Sequence, residues 1–242
     1  MNPKCTAAEL EAGSKRICQA YLDAPQKWEK EGIKTVSTDE KTGIQALQRN
    51  APDLTMKVGQ VRKQEYEYTR NGTQCLIANW DVVLGKVICP TIGDTRNEED
   101  FQQHLQKTTE SDPAVKKWCF VVDNLNTHQS EALVRWVAGM VGTSAKDLGK
   151  KGKCGILENM STRADFLMNE DHRVYFIYTP KHCSWLNQIE IWFGILSRRL
   201  LKRGNFTSLQ DLKEQINRFI DYFNQVLAKP FQWTYNGKPC RV

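Results

Sequence analysis

The sequence predicts an α/β protein in which a mixed β-sheet is covered by helices. Its predicted elements follow the order strand, β-meander, helix, strand, helix, strand, helices, which is typical of a sheet with helices packed on it. The stretch WCFVV at 118–122 is apolar at every position, which indicates a strand covered on both faces. Two amphipathic helices, near 187–203 and 208–227, complete the chain.

The first third of the chain predicts one helix and then mostly strands. Residues 3–30 have a helical pattern, with Thr6 as a start signal. A strand is predicted at 33–40, where the alternating stretch IKTVSTDE is stopped by KTG. The segments QEYEYTR and TQCLIANWDVVLGKVICPTI flank Asn71-Gly72, a dipeptide that predicts a hairpin. The second segment is expected to turn back at Leu84-Gly85, which gives a meander of three antiparallel strands.

The remaining elements alternate between helix and strand. A helix is predicted at 97–109, with Phe101 and Leu105 on its apolar stripe, and a second one around 131–141. Residues 142–173 are the least regular part, and the strand VYFIYTP at 174–180 ends at Pro180. Gly204 separates the last two helices as a stop signal.

Composition and charge exclude some classes of protein and favour others. The 242 residues are 40% hydrophobic and 26% charged, and no apolar run approaches the roughly 20 residues that cross a bilayer. The N-terminal sequence lacks the apolar centre of a signal peptide, so we expect a cytoplasmic protein with no membrane partner. Residues 181–242 hold ten Lys or Arg against four Asp or Glu, which is the whole net charge of +6. A local positive surface indicates a polyanionic partner, although a solvated helix face explains the charge equally well.

The eight cysteines do not predict a zinc site. They form no close C-x-x-C pair, and the chain has no clustered histidines. We therefore expect free thiols, several of them in apolar segments.

Three acidic residues are candidate site residues, and each also has a structural explanation. Asp39 begins the polar turn DEKTG, and taken alone a turn former is the better interpretation. Asp123 follows the strand FVV and can cap the next turn with its side chain. Glu190 stands three residues after Asn187, a spacing that suits a helix capping box.

The three acids predict a binding site for a divalent cation if their side chains converge at one end of the sheet. Crowded carboxylates repel one another and raise their pKa values unless a cation lies between them. Partly open sets of oxygen ligands select Mg²⁺ or Mn²⁺, and two such ions can support phosphodiester chemistry.

Five sequence blocks resemble a known family. The blocks VSTDEKTGIQAL, VVDNLNTH, YTPKHCSWLNQIEIWF, LLKRGNFTSLQDLKEQI and KPFQWTYNGKP are similar to those of the bacterial insertion-sequence transposases of the mariner superfamily, which are DDE endonucleases. The resemblance covers most of residues 15–239. It implies a ribonuclease-H-like catalytic domain, with a mixed five-stranded sheet flanked by helices.

The resemblance also implies a site and a function. Asp39, Asp123 and Glu190 match the three catalytic and metal-binding acids, with Mg²⁺ or Mn²⁺ as cofactor. The implied activity is cleavage of DNA at the ends of a mobile element and strand transfer into target DNA, in the bacterial cytoplasm at the nucleoid. Two alternatives stay open: a non-catalytic DNA-binding remnant of a decayed element, and a stand-alone nuclease of the same fold.

Further residues in these blocks are candidate DNA contacts. His128 and Asn126 are interpreted as contacts to a phosphate or a metal-bound water, with a surface histidine and a turn asparagine as the alternatives. Asn187 and Gln188 adjoin the third acid and are also candidate DNA contacts. Helix capping is the alternative role for Asn187. Trp233 and Tyr235 are interpreted as packing residues. The basic cluster, which suits phosphate contacts, comprises Arg198, Arg199, Lys202 and Arg203.

Two departures from the family affect the predicted domains. Asp123 and Glu190 are separated by 66 residues, longer than the family's usual spacing, so 142–173 is interpreted as an insertion. We expect it to be a peripheral excursion with exposed lysines that contacts DNA or a second protomer of a homodimer. Only 38 residues precede Asp39, where full-length members carry helix-turn-helix modules. We therefore expect a helical remnant and linker at 1–32 and a DDE catalytic domain at 33–242.

Overall fold

A mixed five-stranded sheet forms the centre of the protein. The structure is a computed structural model and describes residues 7–52, 54–61 and 65–237. The strands are β1 (Ile33–Arg49), β2 (Tyr68–Asp81), β3 (Lys86–Gly93), β4 (Lys117–Val122) and β5 (Val174–Tyr178). The helices are α1 (Ala7–Glu31), α2 (Glu98–Glu110), α3 (Glu131–Val141), α4 (Ala145–Leu148), α5 (Met160–Leu167), α6 (Ile189–Leu196) and α7 (Leu209–Tyr222).

The strand order is β3-β2-β1-β4-β5. The first three strands form an antiparallel meander, whereas β4 runs parallel to β1 and β5 runs parallel to β4. Hydrophobic clusters cover both faces of the sheet: one contains side chains of α1, α6 and α7, and the other contains side chains of α2, α3 and α5. The prediction of a mixed five-stranded sheet flanked by helices is confirmed.

The hairpin predicted at Asn71-Gly72 is wrong. Strand β2 runs straight through this dipeptide, and the chain between β1 and β2 turns instead within residues 50–67. Gly72 is needed here because its φ is +115°, and a Cβ at this position would lie 3.1 Å from the side chain of Leu209. The glycine therefore permits a close approach by the last helix rather than a tight turn.

The end predicted for the first strand is also wrong. Strand β1 continues beyond Glu40 to Arg49, with a register shift between Lys41 and Ile44. Gly43, with φ of +66°, accommodates this irregularity. The sequence KTG is thus a bulge within a long strand, and Asp39 lies inside the strand rather than in a turn.

Helix α1 packs on the sheet. Its side chains Ile17, Tyr21 and Ala24 are buried in the same cluster as residues of β1 and α6. The hydroxyl of Tyr21 donates a hydrogen bond to the carbonyl of Leu186 at 3.0 Å and accepts one from the backbone N–H of Gln188 at 3.2 Å. Helix α1 therefore supports the segment that leads into α6, while a domain boundary at 32 stays a prediction.

The segment 142–173 has a surface part and a core part. The lysines at 146, 150, 151 and 153 are exposed, as expected of a peripheral insertion. However, Leu157 and Leu167 are fully buried in the cluster on the α2 face of the sheet. Arg163 is also buried, and its Nε donates to the carbonyl of Gln129 at 2.7 Å. The expectation of a wholly peripheral excursion is therefore wrong.

The described cysteines at 18, 75, 89, 119, 154 and 183 are free thiols, as expected. Within the described residues, none of the helices has the length and apolar character that a membrane span requires.

Candidate active site

Asp39 lies within the central strand and is almost completely buried, with 4% of its surface exposed. Its Oδ1 accepts a hydrogen bond from the backbone N–H of Glu40 at 2.8 Å. Its Oδ2 accepts one from Nδ2 of Asn187 at 3.2 Å. Both oxygens are therefore held in place, an arrangement that a turn-forming aspartate on the surface does not need.

Asp123 follows the last residue of β4, the neighbouring parallel strand. Its Oδ1 accepts a hydrogen bond from the backbone N–H of Leu125 at 3.0 Å, so the predicted turn-capping role is present. The same oxygen lies 2.7 Å from Nδ1 of His128. Among the described residues, ligand atoms of Asp39, Asp123 and His128 all lie within 4.8 Å of one another. The ends of two adjacent strands thus bring two of the three predicted acids together.

This proximity changes the electrostatics of Asp39. Burial raises the pKa of its carboxyl to about 8, and the negative charge of Asp123 adds to this effect. The positive charge of His128 and the hydrogen bond from the Glu40 backbone oppose it. A cation between the two carboxylates would favour the ionised form of both.

His128 is a buried link between acidic residues. Its Nε2 lies 2.9 Å from Oε2 of Glu40, and its Nδ1 faces Asp123. Burial lowers the pKa of the imidazole, but the hydrogen bonds and charges of Asp123 and Glu40 outweigh burial and raise the pKa to about 10. The two carboxylates therefore favour the charged form of the imidazole.

Glu190 lies in the first turn of α6, as predicted, and is outside the 4.8 Å group. Burial raises the pKa of its carboxyl, the positive charge of Lys41 opposes that shift, and the negative charge of Asp123 reinforces it. The ammonium of Lys41 also lies 5.8 Å from the centre of the Phe193 ring on α6. The third acid thus approaches Asp123 from the helix side.

The capping interpretation of Asn187 is wrong. Gln188 occupies the N-cap position of α6 and makes no side-chain capping bond. The Asn187 side chain instead accepts a hydrogen bond from the Ser37 hydroxyl and donates one to the carbonyl of Thr38 at 2.9 Å, besides its bond to Asp39. Asn187 therefore fixes the start of α6 to strand β1.

The structure contradicts three of the predicted DNA contacts. Asn187 and His128 are 0% exposed, and Gln188 is 1% exposed. Because their side chains are enclosed by protein, a duplex cannot reach them. Asn126 is exposed at the start of the short 3₁₀ turn Asn126–Gln129, which also contains His128.

The predicted basic cluster is exposed. Its residues lie on a π-helical turn at Ser197–Leu201 and in the residues that follow it. The guanidinium of Arg198 extends back over Gly194, where a Cβ would come within 3.1 Å of Nη1. Exposure agrees with phosphate binding, which stays a prediction for Arg198, Arg199, Lys202 and Arg203.

The two aromatic residues near the end of the described chain pack on other rings. Trp233 contacts Tyr21 edge to face at 5.0 Å, and Tyr235 contacts Trp185 at 5.1 Å. Packing was the expected role of both residues.

Sequence reasoning missed Glu40. Its side chain is 1% exposed and points to the opposite face of β1 from Asp39, towards His128. Adjacent residues of a strand point to opposite faces, so the signal was present in the dipeptide Asp-Glu. It was missed because Asp39 and Glu40 were interpreted as the beginning of the polar turn DEKTG.

A groove of about 1200 Å³ adjoins the site. One wall includes Asp123 and Asn124, and another includes Met160 and Ala164 of α5. The exposed residues Lys181 and His182 line it as well. The groove therefore opens directly onto one carboxylate of the site.

The residues present fit a hard divalent cation. Asp39 and Asp123 offer carboxylate oxygens at close range, and burial together with the negative charge of Asp123 raises the pKa of Asp39. Oxygen ligands of this kind suit Mg²⁺ or Mn²⁺. His128 belongs to the same close group, but both of its ring nitrogens face carboxylates, so the imidazole is not free to bind metal in this arrangement.

The fold of the chain is similar to that of several solved structures. The chain is similar to the Mos1 mariner paired-end complex with Mn (TM-score 0.54, 17% identity, 88% of this chain and 55% of that one). It is also similar to the Mos1 strand transfer complex, with a TM-score of 0.51 and 15% identity over 92% of this chain and 58% of that one. The catalytic domain of Mos1 mariner transposase gives a TM-score of 0.51 at 13% identity, over 91% of this chain and 85% of that one. These likenesses show a shared fold.

The chain spans 55% and 58% of the protein chains in the two Mos1 complexes. A search of curated proteins found no match. The family model of the DDE superfamily endonucleases matches residues 34–213, which include all three acids. The chain therefore belongs to the DDE superfamily endonuclease family.

Proposed function

We propose that this chain is the catalytic part of a transposase, which cleaves DNA at the ends of a mobile element and joins the freed 3′ end to target DNA. The convergence of Asp39 and Asp123, with Glu190 beside them, is the observation that carries the proposal. The family match and the fold shared with the Mos1 catalytic domain support it.

Asp39, Asp123 and Glu190 are the proposed ligands of Mg²⁺ or Mn²⁺. Bound ions of this kind would activate a nucleophilic oxygen and stabilise the leaving 3′ oxygen of the DNA strand. The chain itself supplies the orientation: Asn187 and the Glu40 backbone hold both oxygens of Asp39. Such support reduces the reorganisation that the ligands need when the ion binds.

DNA is the proposed substrate. The groove beside Asp123 offers a path for a strand that leaves the site, with Lys181 and His182 on its wall. The exposed basic cluster that begins at Arg198 suits the phosphates of a flanking duplex. Recognition of element ends, use of target DNA, formation of a homodimer and location at the bacterial nucleoid belong to the same proposal.

The test is nicking and joining of plasmid DNA with added Mg²⁺ or Mn²⁺, compared with a chelator control. Asp123→Asn keeps the hydrogen bond from Leu125 and removes one negative charge, so we expect a folded protein without metal-dependent cleavage. Asp165→Asn, at an exposed position of α5, is the matched control and should cleave normally.

The outcomes separate the alternatives. Cleavage followed by joining of the 3′ end to a second DNA agrees with a transposase. Cleavage without joining favours a stand-alone nuclease. DNA binding without metal-dependent cleavage favours a non-catalytic remnant, and unchanged cleavage by Asp123→Asn would remove this carboxylate from the mechanism.

A further inference from the structure

One imidazole connects two carboxylates from separate parts of the chain. The Nε2 of His128 lies 2.9 Å from Oε2 of Glu40, which belongs to strand β1. Its Nδ1 lies 2.7 Å from Oδ1 of Asp123, which follows strand β4. The His128 and Glu40 side chains are 0% and 1% exposed, so water does not compete for the contact between them, whereas the Asp123 side chain is 20% exposed.

The surroundings restrict the imidazole to this orientation. The Phe101 ring packs against it, with the ring centres 4.2 Å apart. The Tyr178 hydroxyl donates a hydrogen bond to the backbone carbonyl of His128 at 2.8 Å, and Arg163 donates to the next carbonyl, that of Gln129. Helix α2, strand β5 and helix α5 thus all contribute to holding the loop that carries His128.

A contact with DNA and a place among the metal ligands both disagree with this geometry. The side chain has no exposed surface, and each ring nitrogen already faces a carboxylate. What remains is an effect exerted through Asp123, whose carboxylate is partly exposed and has the backbone N–H of Leu125 as a second partner of Oδ1.

We propose that His128 and Glu40 form a positioning pair that holds the Asp123 carboxylate in its metal-binding orientation. The proposal rests on the proposed function, because it takes Asp123 as a metal ligand. Glu40 fixes the imidazole on one side, and the imidazole fixes Oδ1 of Asp123 on the other. The second oxygen of Asp123 is thereby left to bind the ion. Partners of this kind, one step removed from a metal, typically change its affinity by about 10- to 100-fold when they are lost.

The experiment measures Mn²⁺ and Mg²⁺ binding to the whole chain by calorimetry, without DNA, and the metal-free melting temperature in parallel. The test variants are His128→Gln and Glu40→Gln. We expect His128→Gln to weaken binding of both ions by about 10- to 100-fold, since one amide cannot bridge two carboxylates. Glu40→Gln should weaken binding less, because its amide oxygen still accepts a hydrogen bond from the imidazole.

The matched control is His172→Gln. His172 is also a buried histidine, with 8% exposure, but its ring packs on Phe166, away from the acids. We expect this variant to lose some stability and to bind both ions as the wild type does. Weaker metal binding in a folded His128→Gln protein, with unchanged binding in His172→Gln, is a result that general destabilisation does not produce.

Three results would overturn the proposal in different ways. Wild-type affinity in the folded His128→Gln and Glu40→Gln variants would remove the positioning pair and leave the metal site intact. A much larger loss for Mn²⁺ than for Mg²⁺ would assign His128 as a direct ligand. Absence of metal binding in the wild type would overturn the proposed metal site itself. If His128→Gln does not fold, the metal affinity of Glu40→Gln alone tests the positioning pair.

Discussion

Nδ2 of Asn187 donates a hydrogen bond to Oδ2 of Asp39 across 3.2 Å. The same amide group donates to the carbonyl of Thr38, and the Ser37 hydroxyl accepts a hydrogen bond from the backbone N–H of Ile189 at 2.8 Å. Strand β1 and the first turn of α6 are therefore joined by side chains next to the first and third acids. Relative placement of Asp39 and Glu190 depends on this junction.

Replacement of Asn187 by alanine removes the junction. We expect Asn187→Ala to lower the free energy of unfolding by about 1–3 kcal/mol, because buried polar groups of β1 lose their partner. Metal binding, measured by calorimetry on the folded protein, should weaken as well. Asn217→Ala, at an exposed position of α7, is the control and should change neither quantity appreciably. Wild-type metal affinity in Asn187→Ala would show that Asp39 needs no support from α6.

Asn187 also shows where sequence reasoning reaches its limit. The strands that carry Asp39 and Asp123, and the helix that carries Glu190, were predicted from apolar runs and amphipathic spacing. The role of Asn187 was not predicted, because its spacing to Glu190 suits a capping box and its actual partners lie about 150 residues away. A local sequence pattern predicts hydrogen bonds between residues that are close in sequence. A buried amide can also bond to residues that are distant in sequence and adjacent only in the folded protein.

The same limit explains the error at Asn71-Gly72. The dipeptide favours a two-residue hairpin when only its neighbours in sequence are considered. In the folded protein the missing side chain of Gly72 makes room for Leu209, which no local pattern reveals. Tertiary packing decided the conformation of this glycine.

His104 provides a prediction about pH. Burial, with a smaller contribution from the positive charge of Lys107, lowers the pKa of this imidazole to about 3 from its ordinary value of 6.5. The unfolded chain therefore binds a proton between these pH values and the folded chain does not. This contribution to stability is complete above pH 6.5 and is lost as the pH falls towards 3.

Urea unfolding across this pH range tests the prediction with His104→Gln. Relative to that variant, the wild type should lose stability by at most about 1.4 kcal/mol for each pH unit below 6.5. His182→Asn, which replaces an exposed histidine, should follow the wild-type curve. Parallel curves for wild type and His104→Gln would mean that the buried imidazole accepts a proton without cost.

Leu157 tests whether the segment 142–173 belongs to the core. The side chain is fully buried between helices and the sheet, so Leu157→Ala should lower the free energy of unfolding by about 2–5 kcal/mol. Lys153→Ala, at an exposed position of the same segment, should stay within about 0.5 kcal/mol of the wild type. Equal effects of the two changes would restore the interpretation of a peripheral insertion.

The exposed basic cluster predicts salt-dependent DNA binding. Each phosphate contact contributes about 0.9 to the slope of log K against log salt, so replacing the four cations by glutamine should flatten that slope. The affinity that the cluster contributes should be the same for terminal-repeat DNA and for a scrambled duplex, because phosphate contacts carry no sequence information.

A charge-matched variant controls for the loss of net charge. It carries glutamine at four exposed lysines outside the basic cluster, Lys30, Lys86, Lys107 and Lys213. We expect this variant to keep most of the wild-type slope in a titration at several salt concentrations. Equal slopes in the two variants would show that DNA responds to overall charge and not to the cluster around Arg198.

The strand order has a consequence for how the site opens. Asp39 lies within β1 and Asp123 directly follows β4, and these two strands pair side by side in the sheet, whereas Glu190 lies on a helix beside it. Proteins open in cooperative units whose free energies differ from one part of the fold to another. An opening confined to α6 would release the third acid and leave the two aspartates in place. The site would then come apart, and be completed again, at its helical side.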